Sequence, residues 1–271
     1  MLKTEMRNEN TMNIDKATTK EMLELIQKEN YNAVKAIESA IPAIEKACDM
    51  ITDRMQKGGR LIYIGAGTSG RLGIIDAAEC PPTYGVSEEL VSGIIAGGYD
   101  RMVSAGESSE DNGEMGVRDL SAKNLKSEDT VMGISVAGNA KYVAEALSYA
   151  RSLGCLTIGL TCNEGSRLNL ESDISIVTDT GAEVITGSTR MKAGSAHKMV
   201  LNMISTSVMI KSGHVYENMM INLRPMNIKL ENRMISIVCD ILKCDAPKAT
   251  ELLNKYDWSI RKVVECEQGN C

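Results

Sequence analysis

Phenylalanine is absent from this 271-residue chain, and its only other aromatics are one Trp and eight Tyr. Stacking platforms for single-stranded nucleic acid are therefore not expected. The core has to come from Ile, Leu, Val, Ala and the 17 Met. Histidine is almost missing: His197 and His214 are the whole supply, which excludes a histidine-rich metal site. A basic excess is missing too. Lys and Arg number 30 against 36 Asp and Glu, a formal net charge of −6. That leaves no general positive field for nucleic acid, though a local anion site stays open. No apolar run reaches the length of a membrane span. Met199 to Ile210 comes nearest and is interrupted by Asn202, Ser205, Thr206 and Ser207. The start, MLKTEMRNEN, is polar and unlike a signal peptide, which points to the cytoplasm. The eight cysteines form no CxxC and no Cys/His zinc spacing. They read as free thiols packed like small apolar residues.

What is present is an ordinary globular balance, 43% hydrophobic and 24% charged. The length suits one large domain or two small ones. Residues 1–16 are polar and read as a mobile arm. Helical spacing begins after Thr18, with Met22, Leu25 and Ile26, and a second helix is expected from Tyr31 to Ala40. A third follows Pro42 through Ile44, Ala47, Ile51 and Met55 and ends at Gly58-Gly59. Beyond Gly58 short apolar runs take over: Arg60–Thr68, Leu90–Ala96, Thr130–Val136, Cys155–Leu160 and Ile174–Thr178. Helical patterns separate most of them, at Arg71–Ala78, Asp111–Leu120 and Lys141–Leu153. That alternation predicts an α/β fold, a parallel sheet flanked by helices, with ligands beyond the carboxyl ends of the strands. Ser188–Lys211 reads as one long helix, and Glu231–Leu242 and Ala246–Asn254 as short ones. Three segments follow from this: an N-terminal helical segment at 1–57, the sheet domain at 58–212, and a helical C-terminal extension at 213–271.

Five constellations could carry chemistry. Gly65-Ala-Gly67-Thr68-Ser69-Gly70-Arg71 lies between a strand and a helix. It is either a plain turn or an anion cradle of glycine N–H groups, two hydroxyls and a positive helix end. It lacks the Gly-Lys-Ser/Thr of an ATP loop and the closing acid of a dinucleotide site. Asp76-Ala-Ala-Glu79-Cys80-Pro81-Pro82 puts an acid at an expected helix end, where the dipole disfavours it. Glu79 is a solvated acid or a site acid on spacing alone. Gly106-Glu-Ser-Ser-Glu110-Asp111 is an acidic loop that caps the next helix at Asp111 or brings Glu110 to the sheet edge. Should Glu79 and Glu110 converge, they could act as acid and base. Ser135-Val-Ala-Gly-Asn139 offers a second cradle or a helix cap. Glu183, Ser188, Thr189 and Lys192 stand around the start of the long helix, as caps and packing groups or facing a phosphate.

Taken together, GAGTSGRLGIIDAAECPPTYG, the IIAGG stretch, the Glu-Asp pair at 110–111 and GAEVITGSTRMKAGSAHKMVLNMIST resemble the N-acetylmuramic acid 6-phosphate etherase family. The opening TEMRNENTMNIDKATTKEMLELI is similar to that family's start. The resemblance spans about residues 4 to 257. It implies the sugar isomerase fold over 58–212, a homodimer, and a lyase without cofactor acting on a phosphorylated amino sugar in cell-wall recycling. It implies Glu79 as the acid and Glu110 as the base. The residues themselves, rather than the resemblance, offer Gly67, Thr68, Ser69, Gly70, Ser135, Asn139, Glu183, Ser188, Thr189 and Lys192 as the candidates for holding the substrate and its phosphate. One run departs from the pattern. Ala137-Gly-Asn-Ala-Lys141 stands where the family usually carries Ser-Gly-Arg-Thr-Pro, and the Ile-Ser-Val before it is similar to glucokinase regulatory proteins. Two alternatives follow: a phosphosugar-binding regulator without catalysis, and an aldose–ketose isomerase.

Overall fold

The computed structural model describes residues 2–104, 109–267 and 269. Its centre is five short strands: β1 (Leu61–Gly65), β2 (Val91–Ile95), β3 (Thr130–Ile134), β4 (Leu156–Thr161) and β5 (Ile174–Val177). All pair in parallel, in the order β2-β1-β3-β4-β5. Every residue of β1, β3 and β4 is buried, which is why these segments are unbroken apolar runs. Gly65 at the end of β1 pairs with Ile134 at the end of β3. The chain leaves β1 for β2 on one side and later returns to β3 on the other. The gap beyond these two strand ends is thus the switch point of the sheet, where ligands of such folds bind. Under it lies a core of Ile62, Ile64, Leu120, Val131, Val143 and Leu147, all fully buried. Each such side chain stabilises the fold by about 1.5–3 kcal/mol.

The helices follow the expected order with altered boundaries. α1 (Thr19–Glu38) is one helix, where two were expected. No Gly or Pro interrupts it, and its buried face runs on through Glu29, Ala33, Ala36 and Ile37. A capping box fixes its start: the Thr18 amide donates to Glu21 at 2.7 Å, and the Glu21 amide donates to the Thr18 hydroxyl at 3.4 Å. α2 (Ile41–Gln56) carries Pro42 in its first turn. α3 (Gly67–Tyr84) is longer than the expected Arg71–Ala78 at both ends. α4 (Gly113–Ser121) is capped by Asn112, whose side chain accepts from the Met115 amide at 2.9 Å, and not by Asp111. α5 (Lys141–Ser152), the single-turn α6 (Arg167–Glu171) and α7 (Lys192–Lys211) complete the set around the sheet. α7 starts at Lys192 and not at Ser188, because 188–191 are spent on a tight turn.

The arm before α1 is packed, contrary to expectation. It forms three short 3-10 turns, at Lys3–Glu5, Glu9–Thr11 and Ile14–Lys16. Thr4, Asn8 and Thr11 are buried. The Thr4 hydroxyl accepts from Asn163 at 3.1 Å, Asn8 donates to the Ala182 carbonyl at 3.1 Å, and Thr11 donates to the Val184 carbonyl at 2.9 Å. Polar residues are buried there because each meets a partner.

By its internal packing the chain forms two compact units. The first holds the residues up to 78 together with 89–208, and the second holds 79–88 together with 209 onward. The second unit has a small hairpin, β6 (Val215–Tyr216) with β7 (Met219–Met220), and three helices, α8 (Ile228–Leu242), α9 (Ala246–Lys255) and α10 (Ile260–Glu267). Its core is Met234, Val238, Leu253, Ile260 and Val263. The hairpin and α10 were not expected. Cys48, Cys80, Cys155 and Cys162 are buried free thiols, and burial pushes the Cys155 thiol up to about 11. Among the described residues, no helix is long and apolar enough to cross a membrane.

Candidate active site

A cavity of about 240 Å³ opens beyond the ends of β1 and β3, inside the first unit. Ala66, Gly67, Thr68 and Ser69 form one wall, and Ile134, Ser135, Val136, Ala137 and Ala140 form another. Glu110, Thr189 and Glu5 close it. The first wall exists because α3 begins immediately after β1. Gly67 takes φ +53°, a conformation that suits glycine, and so turns the strand straight into the helix. The first amides of a helix have no partner within it, so N–H groups and a positive dipole end face the cavity beside two hydroxyls. Gly70 is not a wall of this cavity. A Cβ on it would stand 2.6 Å from the Gly65 carbonyl oxygen and 2.7 Å from Ile95 Cγ1. Its lack of a side chain lets α3 lie against β1 and β2.

The second wall is more self-contained. Ser135 is buried, and its hydroxyl accepts from the Gly138 amide at 3.1 Å. Asn139 is exposed and does not line the cavity; its side chain accepts from the Arg167 amide at 3.1 Å, which ties the loop to α6. Thr189 lines the cavity, whereas Ser188, half-buried beside it, donates its amide to the Ile185 carbonyl at 2.9 Å.

Glu183 and Lys192 are engaged elsewhere. Glu183 is fully buried and caps α7, accepting from the Ala193 amide at 2.9 Å and the Lys192 amide at 3.3 Å. Burial pushes its carboxyl up, against the pull of those two amides. The Lys192 ammonium, also buried, is ion-paired with Glu29 of α1. A buried ammonium needs such a partner, and having one it is spent. Burial pushes Glu29 up, but the Lys192 and Asn32 hydrogen bonds and the Lys192 charge hold its carboxyl below the usual range.

The two expected carboxylates are placed differently. Glu110 is a wall of the cavity, and its carbonyl accepts from the Tyr142 amide in the first turn of α5 at 3.0 Å. Residues 106–108 of its loop lie outside the described residues. Glu79 is exposed, belongs to the second unit, and is not a wall. It stands twelve residues beyond Gly67 on α3. It is not at a helix end, because α3 runs on through Pro81 and Pro82. A proline has the φ of a helix and costs it a donor, so the helix survives with weaker bonding there. The Gly85 amide still reaches the Pro81 carbonyl at 2.9 Å.

Three residues were given no role of their own from sequence. Arg71 donates to the carbonyls of Arg101, Met102 and Ser104 at 2.7, 3.0 and 2.8 Å, and so holds the chain that leads toward Glu110. Asp76 accepts from Tyr63, Asn202 and Ser205 at 2.9, 2.6 and 3.2 Å, joining β1, α3 and α7. Burial pushes its carboxyl up. Glu5 arrives from the packed arm; nothing in its local pattern distinguishes it.

Comparison with known proteins gives names to this architecture. The family model of the glucokinase regulatory protein N-terminal SIS domain matches residues 43–151, and that of the SIS domain matches 108–211. An N-acetylmuramic acid 6-phosphate etherase from Clostridium beijerinckii is 52% identical over 263 residues, 97% of this chain and 86% of that one. The Bacillus subtilis protein of the same name is 47% identical over the same shares. Among solved structures, a phosphoheptose isomerase from Neisseria gonorrhoeae matches with a TM-score of 0.54 and 17% identity, over 70% of this chain and 99% of that one. This last likeness is one of fold.

Proposed function

The chain belongs to the N-acetylmuramic acid 6-phosphate etherase family, and from that premise we infer that it cleaves the lactyl ether of N-acetylmuramic acid 6-phosphate. The products are N-acetylglucosamine 6-phosphate and lactate, and the reaction is a step of cell-wall sugar recycling. The observation that carries the reading is Glu110 lining one cavity with Thr68, Ser69 and the start of α3. The helix end and hydroxyls suit a phosphate, and the carboxylate suits a proton transfer.

The chemistry runs in three steps. With the sugar ring open, the aldehyde at carbon 1 acidifies the proton on carbon 2. Glu110 takes that proton, and lactate leaves from carbon 3 with a proton from an acid. Water then adds across the new double bond, its hydroxyl going to carbon 3 and a proton to carbon 2. The resemblance gives the acid role to Glu79 and the base role to Glu110, and of these two it is Glu110 that lines the cavity. A phosphosugar dianion does not cross a membrane unaided, so the reading includes a cytoplasmic location. It also includes a homodimer, which light scattering on the purified protein tests.

A phosphosugar-binding regulator without catalysis is the second reading. The match to the regulatory-protein domain model at 43–151 and the altered 137–141 run speak for it. Near-full-length identity of 52% to a protein named as an etherase weighs more. Mixing the purified protein with N-acetylmuramic acid 6-phosphate and assaying free lactate decides between them. Tight binding with no lactate would overturn the etherase reading.

A further inference from the structure

The cavity holds a second carboxylate, and it comes from the N-terminal arm. Glu5 lines the cavity together with Glu110 and Thr189. The residues around it tie the arm down. Thr4 is fully buried on Asn163, Lys3 is ion-paired with Asp179, and Asn8 donates to the Ala182 carbonyl at 3.1 Å. Glu5 takes no part in this lacing. Among the described residues its carboxylate has no hydrogen-bond or ion-pair partner. Its Oε2 lies 3.4 Å from where a Cβ on Gly187 would stand, so the head group reaches the turn that carries Thr189. The anchors on both sides fix an unpaired acceptor at the cavity wall.

We propose that Glu5 contacts the sugar, its carboxylate accepting hydrogen bonds from hydroxyl or acetamide N–H groups of the bound amino sugar phosphate. The proposal rests on the etherase reading and extends it to a residue outside the α/β sheet. An ionised carboxylate only accepts, and it repels a phosphate. Glu5 therefore sorts the two ends of the substrate. The dianion goes to the hydroxyls and helix start at 67–69, and the O–H and N–H donors of the carbon chain go toward Glu5. With Glu5 present, a backward-bound sugar would set its phosphate against an unpaired negative charge.

The test compares two ligands by calorimetry, N-acetylglucosamine 6-phosphate and inorganic phosphate. Glu5→Ala removes a charged acceptor, so affinity for the sugar phosphate should fall roughly ten- to a hundredfold. Affinity for inorganic phosphate should stay the same or rise, because a repelling charge has gone. Glu5→Gln, which keeps one acceptor oxygen, should lie between. Glu5 is exposed, so the melting temperature of both variants should match the wild type. If Glu5→Ala binds the sugar phosphate as the wild type does, or weakens both ligands equally, the proposal is overturned. Should the wild type neither bind the sugar phosphate nor release lactate, the etherase reading falls, and the role of Glu5 with it.

Discussion

After β1 the chain reads Gly65-Ala-Gly-Thr-Ser-Gly, and after β3 it reads Ser135-Val-Ala-Gly-Asn. Both are glycine- and hydroxyl-bearing turns between a strand and a helix, yet they differ in one length. α3 starts two residues beyond Gly65, whereas α5 starts seven beyond Ile134. In the first segment, Thr68 and Ser69 fall in the opening turn of the helix and present their hydroxyls at its positive end. In the second, the longer loop consumes its own polar groups. Ser135 serves the Gly138 amide, Asn139 serves Arg167, and the Val136 carbonyl accepts from Thr161, Cys162 and Asn163. The helix that follows has no side-chain cap, and its Tyr142 amide goes to the carbonyl of Glu110. One segment thus offers donors to a ligand, while the other braces a wall and holds Glu110 by its backbone. A Gly/Ser motif makes a cradle where the helix begins at once, before the loop can use up its donors.

The largest effects should come from the carboxylates. Glu110→Gln keeps the shape of the side chain and loses the carboxylate proposed as the base. Exchange of the carbon-2 proton with deuterated solvent should drop by roughly 10²–10⁴-fold, the usual worth of a positioned acid or base. Folding should be unchanged, since the backbone bond to Tyr142 remains. Glu79→Gln should instead stop lactate release and leave some exchange. Exchange and lactate release at wild-type rates in Glu110→Gln would remove the second segment from the chemistry altogether.

Next in size is the contrast between the two serines. Ser69→Ala removes a hydroxyl on which no buried amide among the described residues depends. Binding of the sugar phosphate should weaken, and the melting temperature should hold. Ser135→Ala does two things. It removes a donor from the cavity, and it leaves the buried Gly138 amide without its acceptor. The second loss costs about 1–3 kcal/mol of stability, or several degrees of melting temperature in a chain of this size. Equal melting of the two variants would erase the distinction between an open cradle and a self-braced loop.

Acid should reach the braced segment and leave the cradle alone. His197 is fully buried behind it, with Nε2 3.4 Å from the Cys162 sulfur, and burial pushes its pKa down to about 4. In the unfolded chain it titrates near 6.5. Between those values the unfolded state binds the extra proton, so stability falls as the pH drops from about 6.5 toward 4. At pH 5 this amounts to about 2 kcal/mol relative to pH 7. Urea unfolding of the wild type and of His197→Leu at both pH values measures it. The variant should lose less on acidification. Identical acid sensitivity would assign the loss to other groups, among them Glu29, whose carboxyl Lys192 holds low.

The strands and the cavity's position were legible because buried parallel strands are apolar on both faces and end in glycines. What stayed hidden depends on partners far away in sequence. Lys192 looked available for a phosphate because its partner Glu29 lies 163 residues away. The arm looked mobile because Thr4, Asn8 and Thr11 are polar, and their burial depends on residues 163, 182 and 184. Glu5 was overlooked with it. Glu79 was read as helix-terminal on the strength of Pro81 and Pro82, but a helix can carry prolines when its φ values already suit them. Periodicity reports which face of a helix is buried, and says nothing of which distant charge waits there.

The smallest expected effect concerns Asn139. On sequence it was a candidate phosphate ligand, but its amide oxygen accepts from the Arg167 amide and it lies outside the cavity wall. Asn139→Ala deletes one exposed hydrogen bond between the loop and α6. That should cost about 0.5–1.5 kcal/mol of stability and leave the affinity for N-acetylglucosamine 6-phosphate unchanged. Ser69→Ala should show the opposite pattern, with weaker binding and an unaltered melting temperature. The pair needs only calorimetry and a melting curve on each variant. A tenfold loss of sugar phosphate affinity in Asn139→Ala would mean that the loop rearranges around a ligand and that the second segment is a cradle after all. Retained affinity with a small loss of stability would fix the phosphate on the first.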